Sequence, residues 1–513
     1  MKLKKLFALV FVFLFALSAT LTGCGNNSKD KSTNQQSGQA KGGELVYSIS
    51  SDIDNFNPFT NQMVTFANTI AFNCYEPLLC IDKDMKYVPL LATSWKKKDD
   101  KTYVFKLREG VKFHNGEALT PEDVKFTIEY TQDDKAGSWL KPFFENFAEV
   151  KVVDSSTVEI DLKNVSNTIL DDLCLLPIIK KGTESELQQK PIGTGPFKFV
   201  SWSPNDKIVL EKYADYWDKG KPYLDKVIFK PIPDKKIQLT NLDSGTVNFV
   251  EALPVSDYEN IKAKSNMQII QPEKSNSTIL FEVGIKNVKP FQNEKVMEAM
   301  LYALDKETIN KNLFNGLGKA INSLYPTGAK FSKDMGKPVF DLDKAKSLIA
   351  EAGYPDGFSF KIDVLNGYPE FEKIAVVYQA SLAKIGVKVE LNKLEMPQWL
   401  DRYVKREYDM TVNWYPMNGT DPATYDNTIL VPLISAVLPN ETGLLDLIKN
   451  ASSEGDQDKR KELYSQIQDQ IYKLKPAIPI IETPILCAAR TEVKGIEINP
   501  VGNTYLKDSW IEK

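Results

Sequence analysis

Histidine is almost absent from this sequence: His114 is the only one in 513 residues. A single imidazole excludes His-rich metal sites and leaves a Ser-His-Asp triad dependent on His114 alone. No Gly-x-Ser-x-Gly elbow occurs either. An excess of basic residues is also lacking. The formal net charge is −4, and residues 1–23, with three lysines and no acid, account for none of that acidity. A nucleic-acid partner would need a basic face. The one long apolar run, Leu6 to Thr20, falls short of the roughly 20 residues a spanning helix needs. Gly193-Thr194-Gly195 is not followed by Gly-Lys-Ser/Thr, which excludes a phosphate-cradling loop. Cysteines number five.

What is present reads as an ordinary soluble globular chain, 42% hydrophobic and 26% charged. Its length exceeds a single core and predicts two or three lobes. Lys2, Lys4 and Lys5 precede the apolar run, and Leu21-Thr22-Gly23-Cys24 follows it. This resembles the leader of bacterial lipoproteins. It implies that residues 1–23 are removed and that Cys24 is acylated, by palmitate among others. Residues 24–43 are rich in Asn, Ser, Gln, Lys and Gly, and are expected to be a disordered tether. Cys74, Cys80, Cys174 and Cys487 then remain. An extracellular location permits disulfides, and four free buried thiols fit the sequence equally well.

The stretch Tyr103 to Tyr130 is the most informative. Tyr103, Phe105 and Leu107 alternate as a half-buried strand. Val111 to Phe113 is expected as a second short strand, and Asn115-Gly116 as a tight turn. Thr120 then caps a helix with Pro121 at its first position and Asp123 closing a capping box. His114 lies inside this unit and is expected to be structural. The text Leu91-Ala92-Thr93-Ser94-Trp95 followed by TYVFKLREGVKFHNGEALTPEDV resembles the signature region of the family 5 extracellular solute-binding proteins, the peptide and nickel receptors of ABC importers.

The resemblance continues along the chain. Asp54-Asn55-Phe56-Asn57-Pro58, Tyr75-Glu76-Pro77-Leu78-Leu79, Ile192-Gly193-Thr194-Gly195-Pro196-Phe197, Tyr216-Trp217, KVMEAMLYALDKETI and DKAKSLIAEAGYPDGF all resemble family segments. A helix is expected over Ala67–Leu79, ending at Pro77. Another should carry Val296, Ala299, Met300, Ala303 and Leu304 on one face. A third should be capped by Asp343 and stopped by Gly353. The implied fold is α/β, a three-lobed periplasmic-binding-protein-like clamp: two α/β lobes joined by a hinge, plus an inserted second lobe. Lobe I takes 44–76, 195–279 and 488–513, lobe II takes 77–194, and lobe III takes 280–487.

The resemblance also implies a ligand cleft between lobes I and III. Candidate contacts are Asn61, Gln62, Met63, Val64 and Thr65 in an early loop, with Tyr368, Met396, Trp399, Trp414, Tyr415, Met417, Asn418 and Asp421 in lobe III. Peptide receptors of the family pin the ligand amine with an aspartate three residues after a tryptophan. Here Met417 stands at that place after Trp414, and Asp421 is the next acid. The segment Asn366–Pro369 lacks the arginine that pins a carboxylate in dipeptide receptors. Trp414, Met396 and Met417 also read as packing residues, and Asp421 as a turn acid. The expectation is therefore a pocket without clamps for charged peptide ends.

The resulting expectation is a lipid-anchored, monomeric substrate-binding protein on the extracytoplasmic face of the membrane. It would take oligopeptides first and use no cofactor, metal or catalysis. ABC permease subunits would be its partners, with the ATPase subunits engaged indirectly. A nickel or other metal chelate, or another small polar solute, is the alternative ligand. Presentation of peptide signals to a membrane receptor is a second use of the same binding. A secreted hydrolase is the alternative from another class.

Overall fold

The computed structural model describes residues 42–512 apart from Val64, Asn418 and Pro439. Cys24, the leader and nearly all of the tether lie outside the described residues, as do Val64 and Asn418.

Three sheets organise the chain. In the first, Glu44–Ile49 lies near the middle, with Leu45, Tyr47 and Ile49 fully buried. It runs parallel to Lys226–Pro231 on one side and to Phe249–Val250 on the other. Antiparallel neighbours extend the sheet to seven strands. Lys207–Lys212 and Phe197–Ser203 lie beyond one side, and Cys487–Arg490 and Met267–Ile270 beyond the other. The chain thus returns to its first sheet after more than four hundred residues, because Cys487–Arg490 fills a gap between strands laid down earlier.

The second sheet is antiparallel, in the order Ala92–Lys97, Thr102–Leu107, Thr157–Leu162, Phe147–Asp154. Tyr103, Phe105 and Leu107 are buried while Lys106 is exposed, as period-2 alternation requires. Helix Pro121–Gln132 begins with the expected capping box: Asp123 Oδ2 accepts from the Thr120 backbone N–H at 2.9 Å. The core of this sheet is continuous with that of the first. Residues 111–113 form only a single bridge, Lys112 to Ala118, instead of a strand.

The third sheet has six strands: Lys319–Ala320, Ala477–Glu482, Ser277–Val283, Met410–Pro416, Ser359–Leu365 and Lys388–Leu394. Every residue of its Ser277–Val283 strand is buried. Ile279, Phe281 and Val283 enter a core shared with helices Glu294–Tyr302 and Pro369–Lys384. Leu280 points the other way, into a core built with Leu433, Tyr464 and Ile467. Alternation alone thus splits one strand between two cores. Val296, Ala299, Met300, Ala303 and Leu304 are all buried, as expected of one apolar face.

Two further local expectations change. Residues 67–79 are not one helix. A π-type turn, Phe66–Ile70, leads into a short α-helix, Ala71–Cys74, and Tyr75 is already extended. Glu76 precedes Pro77, and the proline ring disfavours the helical region there. The helix at residues 342–351 is capped by Asp341, whose side chain accepts from Lys344 N, while Asp343 lies in its first turn.

Candidate functional site

Parallel strands place their C-terminal ends on one side of a sheet, and ligands of open α/β sheets bind there. In the first sheet those ends are Ser50 and Ser51 after Glu44–Ile49, and Glu251 and Ala252 after Phe249–Val250. All four line a cavity of about 770 Å³. Across it stand Asn276, Ser277, Trp414, Pro416 and Met417 of the third sheet and its approaches. The crossing segment Thr483–Ile485 and the loop Pro500–Thr504 close the sides. The volume lies in the usual range for small-molecule sites, and the lining is mainly apolar and aromatic.

The early loop is held by its own asparagines. Asn57 Oδ1 accepts from Phe59 N at 2.9 Å, and Asn61 Oδ1 accepts from Met63 N at 3.0 Å. Asn61 Nδ2 donates to the Asn55 carbonyl at 2.6 Å. Such side-chain turns fix a loop without a strand or helix. Trp139, carried by the second sheet's flank, donates from its indole to the Pro58 carbonyl at 3.1 Å and lines the cavity too.

Of the residues named from the sequence, Asn61, Gln62, Met63, Thr65, Trp414 and Met417 line this cavity. Trp414 is 41% exposed. Met417 is pinned through its backbone: its N–H donates to the Asn276 carbonyl at 2.8 Å, and its carbonyl accepts from Asn276 Nδ2 at 2.6 Å.

The other residues lie elsewhere. Tyr368 is surface-exposed and stacks on Phe371, and Met396 is exposed at the start of its helix. Trp399 is buried, stacks on Tyr403 and donates to Thr411 Oγ1 at 3.1 Å. Tyr415 faces away from Trp414 along the strand. It bonds to the buried Glu282 carboxylate, which also takes Tyr403, Tyr408 and Arg406.

Asp421 is not available as a swinging anchor. Its two oxygens take the two terminal nitrogens of Arg460 at 2.7 and 2.8 Å, with both residues buried. Its Oδ1 also caps the turn at Ala423 N.

Glu251 is the residue that the sequence reading missed. It is the only ionisable carboxylate or basic side chain among the described residues that line the cavity. Its Oε1 accepts from Ser50 N at 2.8 Å and from Thr65 Oγ1 at 3.0 Å. The available signal was its place directly after a strand of the parallel set.

His114 lies away from the cavity. Its Nε2 donates to the Gly195 carbonyl at 2.9 Å, its ring packs edge-on against Tyr213, and burial pushes its pKa down to about 4. Cys74, Cys80, Cys174 and Cys487 are free thiols. Among the described residues no group of three His, Cys, Asp or Glu side chains could hold a metal ion, and no helix is long and apolar enough to cross a membrane.

A parallel-centred sheet facing a mixed sheet across a cavity, with a further sheet fused to the first, defines a multi-lobed binding protein of the periplasmic type. The match to known proteins narrows this. The chain belongs to the bacterial extracellular solute-binding proteins, family 5, whose middle-region model matches residues 86–432. Its similarity to the glutathione-binding protein GsiB of Salmonella typhimurium is 26% identity over 478 residues, covering 89% of this chain and 92% of GsiB. The substrate-binding protein CtaP of an ABC transporter from Listeria monocytogenes superposes with a TM-score of 0.83 at 26% identity, covering 92% of this chain and all of CtaP. The oligopeptide-binding protein AppA of Bacillus subtilis, solved with a nonapeptide, gives 0.76 at 26% identity, covering 93% of this chain and all of AppA. Proteins of this family capture solutes for ABC importers, and these relatives are binding proteins.

Proposed function

We propose that the protein captures oligopeptides in the cavity between the first and third sheets and delivers them to the permease subunits of an ABC importer. It works as a monomer that binds without catalysis, held to the outer face of the membrane by a lipid on Cys24. Residues 44–76, 195–276 and 487–513 act as one jaw and 277–486 as the other, with 77–194 carried on the first; the crossings fall at Ser277 and Cys487, a few residues from the bounds 279/280 and 487/488 expected from the sequence.

The observation that carries the peptide reading is an open strand edge. Strand Met410–Pro416 pairs with Ser359–Leu365 only at Met410 and Thr411. From Val412 to Pro416 that side has no strand neighbour among the described residues, and Trp414 and Pro416 of this length line the cavity. An extended peptide can pair with such an edge through its backbone and so be held without regard to most side chains. The relative AppA, solved with a nonapeptide, supports the same reading.

Mass spectrometry of what co-purifies with the protein tests it. Peptides of varied sequence are expected. A single metal chelate or another non-peptide solute would overturn the peptide assignment and leave the importer role in place.

A further inference from the structure

We infer that Glu251 is the cavity's anchor for a cationic group of the ligand, and that the site selects solutes carrying an amine and offers no partner to a carboxylate. For peptides, this rests on the function proposed above.

Glu251 stands at the mouth of the parallel pair formed by Glu44–Ile49 and Phe249–Val250. Its backbone is fixed from the chain crossing: Cys487 Sγ donates to the Glu251 carbonyl at 2.9 Å, and Leu253 N donates to the Leu486 carbonyl at 2.8 Å. Its side chain is fixed from the early loop, because Ser50 N and Thr65 Oγ1 both donate to Oε1. Oε2 accepts no hydrogen bond from any described residue. The carboxylate is therefore aimed, half-satisfied and immobile.

Lys235 interacts electrostatically with Glu251 without reaching its carboxylate. Lys235 spends its ammonium on Ser50 Oγ at 2.6 Å and Gln238 Oε1 at 3.4 Å, and makes no ion pair with Glu251. No lysine or arginine is among the described lining residues. A ligand that fills the cavity strips water from Oε2. A buried carboxylate then needs a cation or donor, and a ligand ammonium supplies both. A ligand carboxylate placed in the same cavity would be desolvated with no lysine or arginine among the described lining residues to meet it. The anchor thus lies on the first sheet, across the cavity from Met417.

Titration calorimetry with one pentapeptide in three forms tests this: free, N-acetylated and C-amidated, each against the native chain and against Glu251→Gln. A charge-assisted hydrogen bond predicts that acetylation weakens binding to the native chain about tenfold to a hundredfold. Glu251→Gln should weaken the free peptide by a similar factor and leave the acetylated one nearly unchanged. Amidation should cost nothing. Equal binding of free and acetylated peptide to the native chain, or an unchanged free-peptide affinity in Glu251→Gln, overturns the anchor while peptide binding stands. If no form binds, the peptide reading falls, and the anchor is judged on hexylamine against hexanol. Tighter binding of hexylamine, lost in Glu251→Gln, keeps it. Equal binding of the two, or binding of neither, overturns it.

Discussion

Replacing Asp421 with asparagine separates a structural acid from a ligand anchor. In the native chain the Asp421 carboxylate forks onto Arg460, whose third nitrogen, Nε, donates to the Ala451 carbonyl at 2.8 Å. The guanidinium also lies over the rings of Phe331 and Tyr464 at 5.3 and 5.4 Å. Asp421→Asn leaves that guanidinium fully buried with its counter-charge removed. Breaking one side of such a pair costs about 3–5 kcal/mol. At about 2.1 cal/mol/K per residue, a 513-residue chain unfolds with an entropy of about 1 kcal/mol/K. The loss should therefore appear as a fall of about 3–5 °C in Tm if the chain melts as one unit. Arg460→Met should cost a similar amount. Asp421→Asn with Arg460→Met should recover more than half of the loss, because neither charge is then stranded. Differential scanning calorimetry reads the stability, and titration calorimetry with a free pentapeptide reads the affinity. The affinity of folded Asp421→Asn should stay within about threefold of native, since the carboxylate does not reach the cavity. A tenfold loss of affinity with an unchanged Tm would refute this reasoning and make Asp421 a ligand contact.

Three further outcomes are expected. Trp414→Ala should weaken peptide binding about tenfold, as for a central aromatic contact, with little change in Tm because the ring is 41% exposed; unchanged affinity by calorimetry would remove Trp414 from the site. Burial pushes Glu76 and Asp426 up to about 7 and Asp171 up to about 6, so each binds more protons folded than unfolded and stability should fall as pH rises from about 4.5 to 7. Glu76 alone is worth about 3 kcal/mol over that window, and Tm measured from pH 5 to 8 should decline less in Glu76→Gln than in the native chain. Cys24→Ala should release the protein from the membrane fraction, and in a host with a single membrane it should appear in the medium; retention after detergent-free washing would refute the lipid anchor.

Elements whose residues share one local period were legible in the sequence. The capping box at Thr120 and the buried alternation of Tyr103, Phe105 and Leu107 depend only on near neighbours. The π-type turn at Phe66–Ile70 was not legible, since the same residues satisfy an ordinary helical period. Trp414 and Tyr415 show why a list of neighbouring candidates fails. Adjacent strand residues point to opposite faces, so only one of the two can look into the cavity. The sequence does not say which. The third sheet's pairing decides, and it turns Tyr415 to Glu282. Asp421 failed for a related reason, because its partner Arg460 lies 39 residues on, on a different helix.

The family's recognisable words and its ligand contacts occupy different places, and the packing explains the separation. Glu76 accepts from Thr194 Oγ1 at 2.9 Å, Tyr216 Oη at 2.7 Å and Trp217 Nε1 at 2.9 Å, so three motifs far apart in sequence meet on one buried carboxylate. Gly193 and Gly195 pass so close to Cys74 and Asn73 that a Cβ on either would lie 2.1 and 2.7 Å from a backbone carbonyl oxygen. His114 closes the same knot through the Gly193 and Gly195 carbonyls. None of these residues lines the cavity. They are constrained by one another, so they resemble the family whatever the ligand. Glu251, Trp414 and Met417 line the cavity instead. Fold can therefore be read from the knot, while ligand class must be read from the charges and ring faces at the strand ends. Here the described lining residues present one carboxylate, Glu251, and no lysine or arginine, the set on which the proposed capture of an amine-bearing peptide rests.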